Sequence, residues 1–210
     1  MLNIETICVD AKQASRPLAG AGADQKNRFL EKLANWLATH QDRIIAENAL
    51  DIRDAEKEGL SEALVDRLTL TEDRIRGMAD DVRHLIALPD PVGEVFERAT
   101  TELGLKVRKQ RVPLGVLAVV YESRPNVTVD VAALAIKSGN AIVLRGGKET
   151  IRSNQVLVSG IHSVLDESGL PTSAVQFISE PDRSHVEKLL KMHDLIDMLI
   201  PRGGAALQRY

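Results

Sequence analysis

Residues 112–148, VPLGVLAVVYESRPNVTVDVAALAIKSGNAIVLRGGK, constrain the fold of this 210-residue chain more than any other stretch. The near-continuous apolar run Val116–Tyr121 reads as a strand buried on both faces. A polar loop follows, made of Glu122, Ser123, Arg124, Pro125 and Asn126. Helical spacing then places Val127, Val131, Leu134 and Ala135 on one apolar face, and Gly139 stops the helix. A second apolar run, residues 141–144, leads into Arg145, Gly146, Gly147 and Lys148. Strand, helix and strand within about 30 residues make a βαβ unit, which belongs to a parallel sheet.

The alternation continues to the end of the chain. Strands are predicted at 174–178 and 198–200, and helices at 127–138, 151–168 and 182–192, with another starting near Gly203. Before this comes a helical stretch. A weak first helix over 2–19 is stopped near Pro17 and Gly20-Ala21-Gly22, and Asp24 is placed to cap a second, with Phe29, Leu30, Leu33, Trp36 and Leu37 on its apolar face. A third spans 41–58, and Ser61 and Thr71 are capping candidates for two more. Residues 95–101 and 105–110 are β-prone around Leu103-Gly104 and form an expected hairpin or arm, with basic residues on a solvated or partner-facing side. The expected fold is α/β: a helical N-terminal segment packed on a Rossmann-like parallel sheet, with a β-hairpin arm. Its parts are residues 1–91, 92–112 and 113–210.

In an open parallel sheet, ligands bind beyond the carboxyl ends of the strands. Four loops lie there: 122–126, 145–148, 179–182 and 201–204. Two of them join glycines to a cation: Arg145-Gly146-Gly147-Lys148, and Pro201-Arg202-Gly203-Gly204. Such loops let the backbone approach a ligand, a helix N-terminus adds partial positive charge, and Arg and Lys neutralise phosphate. Read blandly, these glycines only make tight turns; read together on one sheet edge, they point to a phosphorylated ligand. The dinucleotide fingerprint G-x-G-x-x-G is absent after the first strand. After the second, no acidic residue is placed for a ribose hydroxyl, and Arg145 with Lys148 suits a 2′-phosphate, hence NADP over NAD.

Composition narrows the classes. A net charge of −3 and 3% aromatic residues give no reason to expect nucleic acid or an anionic membrane. The single cysteine, Cys8, removes an internal disulfide framework and Cys-based metal sites, and reads as a small buried apolar residue. The five histidines lack ligand spacing, Ser123 has no nucleophile elbow, and Asp80-Asp81 reads as solvent-facing. No span of membrane length and no signal peptide is recognised, which implies a cytoplasmic protein. The residues alone describe a binding site without a catalytic engine.

The motifs YESRPNVTVD, LRGGKE and IDMLIPRGG, together with KNRFLEKLA, GLSEALVDRL and ADDVRHLIALPDPVGEV, closely resemble the γ-glutamyl phosphate reductase family of the aldehyde dehydrogenase superfamily. The likeness covers essentially the whole chain. It implies NADPH-dependent reduction of L-glutamyl 5-phosphate to L-glutamate 5-semialdehyde and phosphate, in L-proline biosynthesis. It also implies a catalytic cysteine that forms a thioester, carried by a second domain in a polypeptide about twice as long. On this likeness residues 122–126 lie where cofactor and substrate meet, Arg145 and Lys148 face the adenosine ribose phosphate, and 201–204 line the nucleotide crevice. Residues 95–111 would be an oligomerisation arm, and glutamate 5-kinase a partner by pathway. The chain would then be the N-terminal cofactor-binding portion, holding no catalytic residue and inactive alone. A non-catalytic nucleotide- or phosphate-binding or regulatory module, and an assembly protein using the arm, stay open beside it.

Overall fold

A computed structural model of the chain describes residues 3–182 and 184–204. Five helices come first: α1 (Ile4–Ala19), α2 (Ala23–Thr39), α3 (Gln41–Lys57), α4 (Glu62–Leu68) and α5 (Glu72–Ala87). An antiparallel hairpin follows, β1 (Val95–Thr100) and β2 (Lys106–Gln110). The remainder alternates as β3 (Val116–Tyr121), α6 (Asn126–Lys137), β4 (Ala141–Arg145), α7 (Ile151–Glu167), β5 (Val175–Phe177), α8 (Ser184–Leu190) and β6 (Met198–Arg202).

β3, β4, β5 and β6 form one parallel sheet in the order β5-β4-β3-β6. β3 and β4 are buried almost throughout, as their unbroken apolar runs require. From β3 the chain steps outward to β4 and β5, then returns to the other side of β3 as β6. Right-handed crossovers therefore put α6 and α7 on one face of the sheet and α8, joined by α1, on the other. α2, α3 and α5 pack over α6 and α7 as an outer layer. One core runs from Ile4 to Ile196, so the helical half and the sheet share it.

α1 ends at Ala19 as expected, with Gly20 as the stop, its N–H returning to the Pro17 carbonyl. Several other local expectations change. α2 begins one residue before Asp24, which sits in its first turn with Gly22 as the cap. Thr71 caps α5 through its hydroxyl, whereas Ser61 occupies the cap position of α4 without a side-chain bond. Leu134, assigned to the apolar face of α6, is 51% exposed. That helix is covered by the sheet on one side and by α2, α5 and α7 on others, so Thr128, Ala132 and Ile136 are buried too. β5 and α8 are shorter than their predicted spans, and the helix expected after Gly203 lies outside the described residues.

The hairpin stands clear of the core. All of β2 and nearly all of β1 are exposed, including Phe96 at 56% and Val107 at 47%. Lys109 pairs with Glu97 and Arg111 with Glu94 across it, and the Arg111 guanidinium covers the Phe96 ring at 5.3 Å. Its base is held by the buried Lys26 paired with the half-buried Asp90, whose carboxylate also accepts the Val92 N–H at 3.0 Å.

Asp197 joins three segments at the lower edge of the sheet. Its carboxylate accepts from Lys12 of α1 at 2.8 Å and from the Val116 N–H that opens β3 at 2.8 Å. Gly115, at φ +126°, must lack a side chain because that carboxylate occupies the space. Burial raises the Asp197 carboxyl, but the Lys12 and Val116 bonds outweigh it and hold the group below its ordinary value. A depressed folded-state value means the contribution is complete above the unfolded carboxylate value near pH 4 and is lost as pH falls through the lower, folded one. Asp197→Asn should cost about 1–2 kcal/mol at pH 7, and the gap to the parent should close on acidification. Denaturant melts at pH 7 and below pH 4 check both.

Gly160 of α7 faces the Trp36 indole so closely that a Cβ would enter the ring. Gly160→Ala should destabilise by about 1–3 kcal/mol through overpacking, against the gain of about 1 kcal/mol that alanine brings to an open helix. A thermal melt reads the sign.

Candidate functional site

The reversal of strand order at β3 sets the loops after β3 and β6 side by side. A cavity of about 230 Å3 lies there, lined by Tyr121, Glu122, Ser123, Arg124, Arg202 and Gly203 among others. The loops after β3 and β6, chosen from sequence as separate candidates, thus form one site. Glu122 ties them together: its carboxylate accepts the Gly204 N–H at 3.0 Å. A Cβ on Gly203 would lie 2.6 Å from that carboxyl carbon, so glycine is what lets the second loop close on the first. Ser123 takes φ +30°, a strained value for a residue with a side chain, at the tip of the first loop.

A buried relay fixes the loop after β4 relative to the loop after β3. The Tyr121 hydroxyl donates to Thr128 Oγ1 at 2.6 Å, and Thr128 donates to Asn154 Oδ1 at 2.8 Å. Asn154 Nδ2 donates to Thr150 Oγ1 at 2.9 Å, and Thr150 donates to the Gly147 carbonyl at 3.2 Å. Each threonine hydroxyl gives one bond and takes one, so the relay that starts at Tyr121 runs in a single direction. Burial pushes the Tyr121 phenol well above its ordinary range, which keeps it a neutral donor. Gly146 fits against the Asn154 amide and the Tyr121 ring, where a Cβ would collide.

Both cations of the loop after β4 have partners within the chain. Arg145 Nη2 donates to the Pro181 carbonyl at 2.7 Å, joining the loops after β4 and β5. Lys148 pairs with Glu58 of α3 at 2.6 Å and lines another cavity, of about 340 Å3, with Asp51, Asp54, Glu149 and Arg152. Glu58 raises the Lys148 ammonium above its ordinary value. Pro201 and Arg202 close β6, Pro125 is buried, and Asn126 begins α6 with its amide on Asp130 at 3.0 Å. Burial raises the Asp130 carboxyl.

Two expectations are corrected here. The N-terminus of α7 does not offer its N–H groups to a ligand, because Asp51 of α3 takes them: its carboxylate accepts Ser153 N–H at 2.8 Å, Ser153 Oγ at 2.7 Å and Arg152 N–H at 3.3 Å. An acidic residue does follow β4, since Glu149 directly succeeds Lys148 and its carboxylate lies beside Gly147. Sequence reasoning also passed over Arg67, which lines the crevice from α4. Its only signal was the DRL run ending a short helix.

Cys8 is fully buried in α1, and burial pushes its thiol up to about 11. Neither access nor thiolate is available for nucleophilic chemistry. Among the described residues no group of three His, Cys, Asp or Glu is placed to hold a metal, and no helix is long and apolar enough to cross a membrane.

Fold and site together define an open parallel α/β protein with a candidate crevice at the β3/β6 switch point. The profile of the aldehyde dehydrogenase family matches residues 2–209, and the chain belongs to that family. It is 50% identical over 209 residues to the γ-glutamyl phosphate reductase of Histophilus somni, spanning 100% of this chain and 50% of that protein. With that of Escherichia fergusonii it is 52% identical over 206 residues, 98% of this chain and 49% of the other. The γ-glutamyl phosphate reductase structure from Thermotoga maritima superposes with a TM-score of 0.95 at 39% identity, over 97% of this chain and 49% of that one. The chain spans about half the length of the curated relatives it matches.

The native thiol should resist an aromatic disulfide reagent at pH 8 and react fully once the protein is denatured, as followed by the absorbance of the released thiolate. Asp51→Ala, which strips the N-terminus of α7 of its cap, should cost about 2–4 kcal/mol; denaturant unfolding measures it.

Proposed function

We propose that this chain is the cofactor-binding half of an NADPH-dependent reductase that converts L-glutamyl 5-phosphate to L-glutamate 5-semialdehyde and phosphate in L-proline biosynthesis. The observation that carries the reading is identity of about half over the full chain to proteins named γ-glutamyl phosphate reductase, joined to a switch-point crevice floored by glycine. In this reading residues 1–91 and 113–210 build the cofactor-binding part, and 92–112 the arm. Residues 95–111, with their exposed apolar side chains, pair subunits. The setting is cytoplasmic, with glutamate 5-kinase as the preceding enzyme.

The residues present fit the cofactor. Gly204 leaves its backbone open to close approach, Gly203 and Gly147 make room for the Glu122 and Glu149 carboxylates, and Arg202 stands in the crevice. Glu122, Ser123, Arg124, Pro125 and Asn126 form the floor where cofactor and substrate meet. Arg145, Gly146 and Lys148 hold the adenosine end. With α7 already capped by Asp51, the charge that favours a 2′-phosphate comes from side chains, Lys148 foremost. When bound, NADPH supplies a hydride. This chain's own part is to bind, orient and screen; the nucleophile is not Cys8, which is buried and protonated.

Calorimetric titration with NADPH and NADH tests the reading. NADPH should bind at least about tenfold more tightly, a difference near 1.4 kcal/mol. Lys148→Ala should remove most of that preference and leave NADH little changed. No turnover of glutamate semialdehyde with NADP and phosphate is expected from this chain alone. Activity should appear on adding the C-terminal half of a relative. Binding without any such complementation would instead support a non-catalytic nucleotide-binding module, and no binding of either cofactor would sink the proposal.

A further inference from the structure

A second cavity, of about 370 Å3, adjoins the crevice between α4, α5 and the loop after β3. Three arginines line it: Arg67 and Arg74 from the helical half, and Arg124 from the loop. Arg74 is committed to the fold. Its guanidinium donates to the Asp66 carboxylate at 2.8 Å and to the Thr69 carbonyl at 2.8 Å, fastening α4 to α5. Arg67 and Arg124 are not committed. Both are exposed, and neither side chain has a hydrogen-bond or ion-pair partner among the described residues.

The same pair also lines the crevice, so the two cavities meet across it. On the α5 side stands one carboxylate that the fold leaves largely open, Asp81, whose one ion-pair-range contact among the described residues is the His84 ring at 4.0 Å. Asn126, the first residue of α6, lines the cavity with its amide engaged by Asp130. Two guanidiniums with an open carboxylate in one small cavity match an α-amino acid head group. A planar fork binds a carboxylate in two-point fashion, and a carboxylate accepts from an ammonium.

The geometry points to this cavity as the site for the amino-acid head of the substrate, with Arg67 and Arg124 holding the α-carboxylate and Asp81 the α-ammonium. The inference rests on the reductase reading and deepens it, placing the substrate's fixed end on this half of the protein. Its reacting end then extends past Asn126 toward the crevice. It also gives the helical half a ligand-binding task beyond packing on the sheet.

The test titrates the chain with L-glutamate, glutarate, inorganic phosphate and NADPH, following backbone amide resonances. L-Glutamate should saturate, with shifts at residues 66–81 and 124–126. Glutarate, which lacks the ammonium, should bind at least about tenfold more weakly. Arg67→Ala and Arg124→Ala should each weaken L-glutamate about tenfold or more. Asp81→Asn should bring L-glutamate down to the level of glutarate while leaving glutarate itself unmoved. Asp81→Asn, at a residue that lines only the second cavity, should leave NADPH binding within about twofold. Among the described residues Arg67 and Arg124 make no internal bonds and Asp81 has only the 4.0 Å contact with the exposed His84, so the melting temperatures of the variants should match the parent, which excludes misfolding as the cause.

The inference is overturned if L-glutamate does not saturate, if glutarate binds as well, or if Arg67→Ala weakens NADPH and spares L-glutamate. Phosphate competing with L-glutamate at equal strength would likewise reject it in favour of a plain anion site. None of these results touches the cofactor reading, which stands or falls on NADPH and Lys148→Ala.

Discussion

The carboxylate of Asp51 is the contact on which the arrangement of this molecule depends. It is 4% exposed, sits on α3, and receives the first N–H groups of α7 together with the Ser153 hydroxyl. α7 has no side-chain cap of its own, so the helix that follows the Arg145–Lys148 loop starts where it does because a residue from the outer layer is waiting for it. One turn earlier, Asn48 uses its whole amide the same way, donating to the Leu68 carbonyl and Ser153 Oγ and accepting from Leu70 N–H. Two side chains of α3 thereby set the position of α4, the α4–α5 turn and α7 at once. The outer helices are part of the site's frame, and the price is that α7's dipole serves the fold.

With that helix end spent, positioning at the sheet edge passes to side-chain and backbone ties between loops. Glu122 to Gly204, Arg145 to the Pro181 carbonyl, and the relay from Tyr121 to Gly147 connect all four loops beyond the carboxyl ends of the strands. A ligand entering the crevice meets loops already ordered, which lowers the conformational entropy that binding must overcome. The strained φ of Ser123 fits the same picture, since such a backbone persists only where neighbours over-determine it.

The strands, the hairpin and the order of elements were readable from local pattern, because a buried parallel strand needs an unbroken apolar run and β3 and β4 have one. Strand order was not. Alternation of strands and helices is equally compatible with β6 beyond β5, and only its return beside β3 creates the crevice that unites the loops at 122 and 203. Of the face predicted for α6, Val127 and Ala135 are buried and Leu134 alone is exposed; periodicity identifies one apolar stripe, while this helix is enclosed from several directions, so Thr128, Ala132 and Ile136 are buried too. Arg67 and Asp51 were invisible for a different reason. Each acts on residues far away in sequence, through bonds or cavities that exist only once α3 and α4 have packed against the sheet.

Charge commitment separates structural from functional side chains better than charge itself. Arg74, Arg145 and Arg152 each spend their guanidinium on carbonyls or carboxylates of a neighbouring element, and each marks a joint. Lys26 is fully buried with Asp90 at the base of the hairpin, where desolvation is offset only because the partner and its Val92 bond are in place. Arg67 and Arg124 are the contrast: two like charges brought to one cavity wall, with the nearby carboxylate of Asp66 already taken by Arg74. Folding gains nothing from gathering two unneutralised cations there, and mutual repulsion makes the arrangement mildly unfavourable. Such a juxtaposition is intelligible as a binding feature, because the anion that neutralises both cations supplies the stabilisation that the chain itself leaves out.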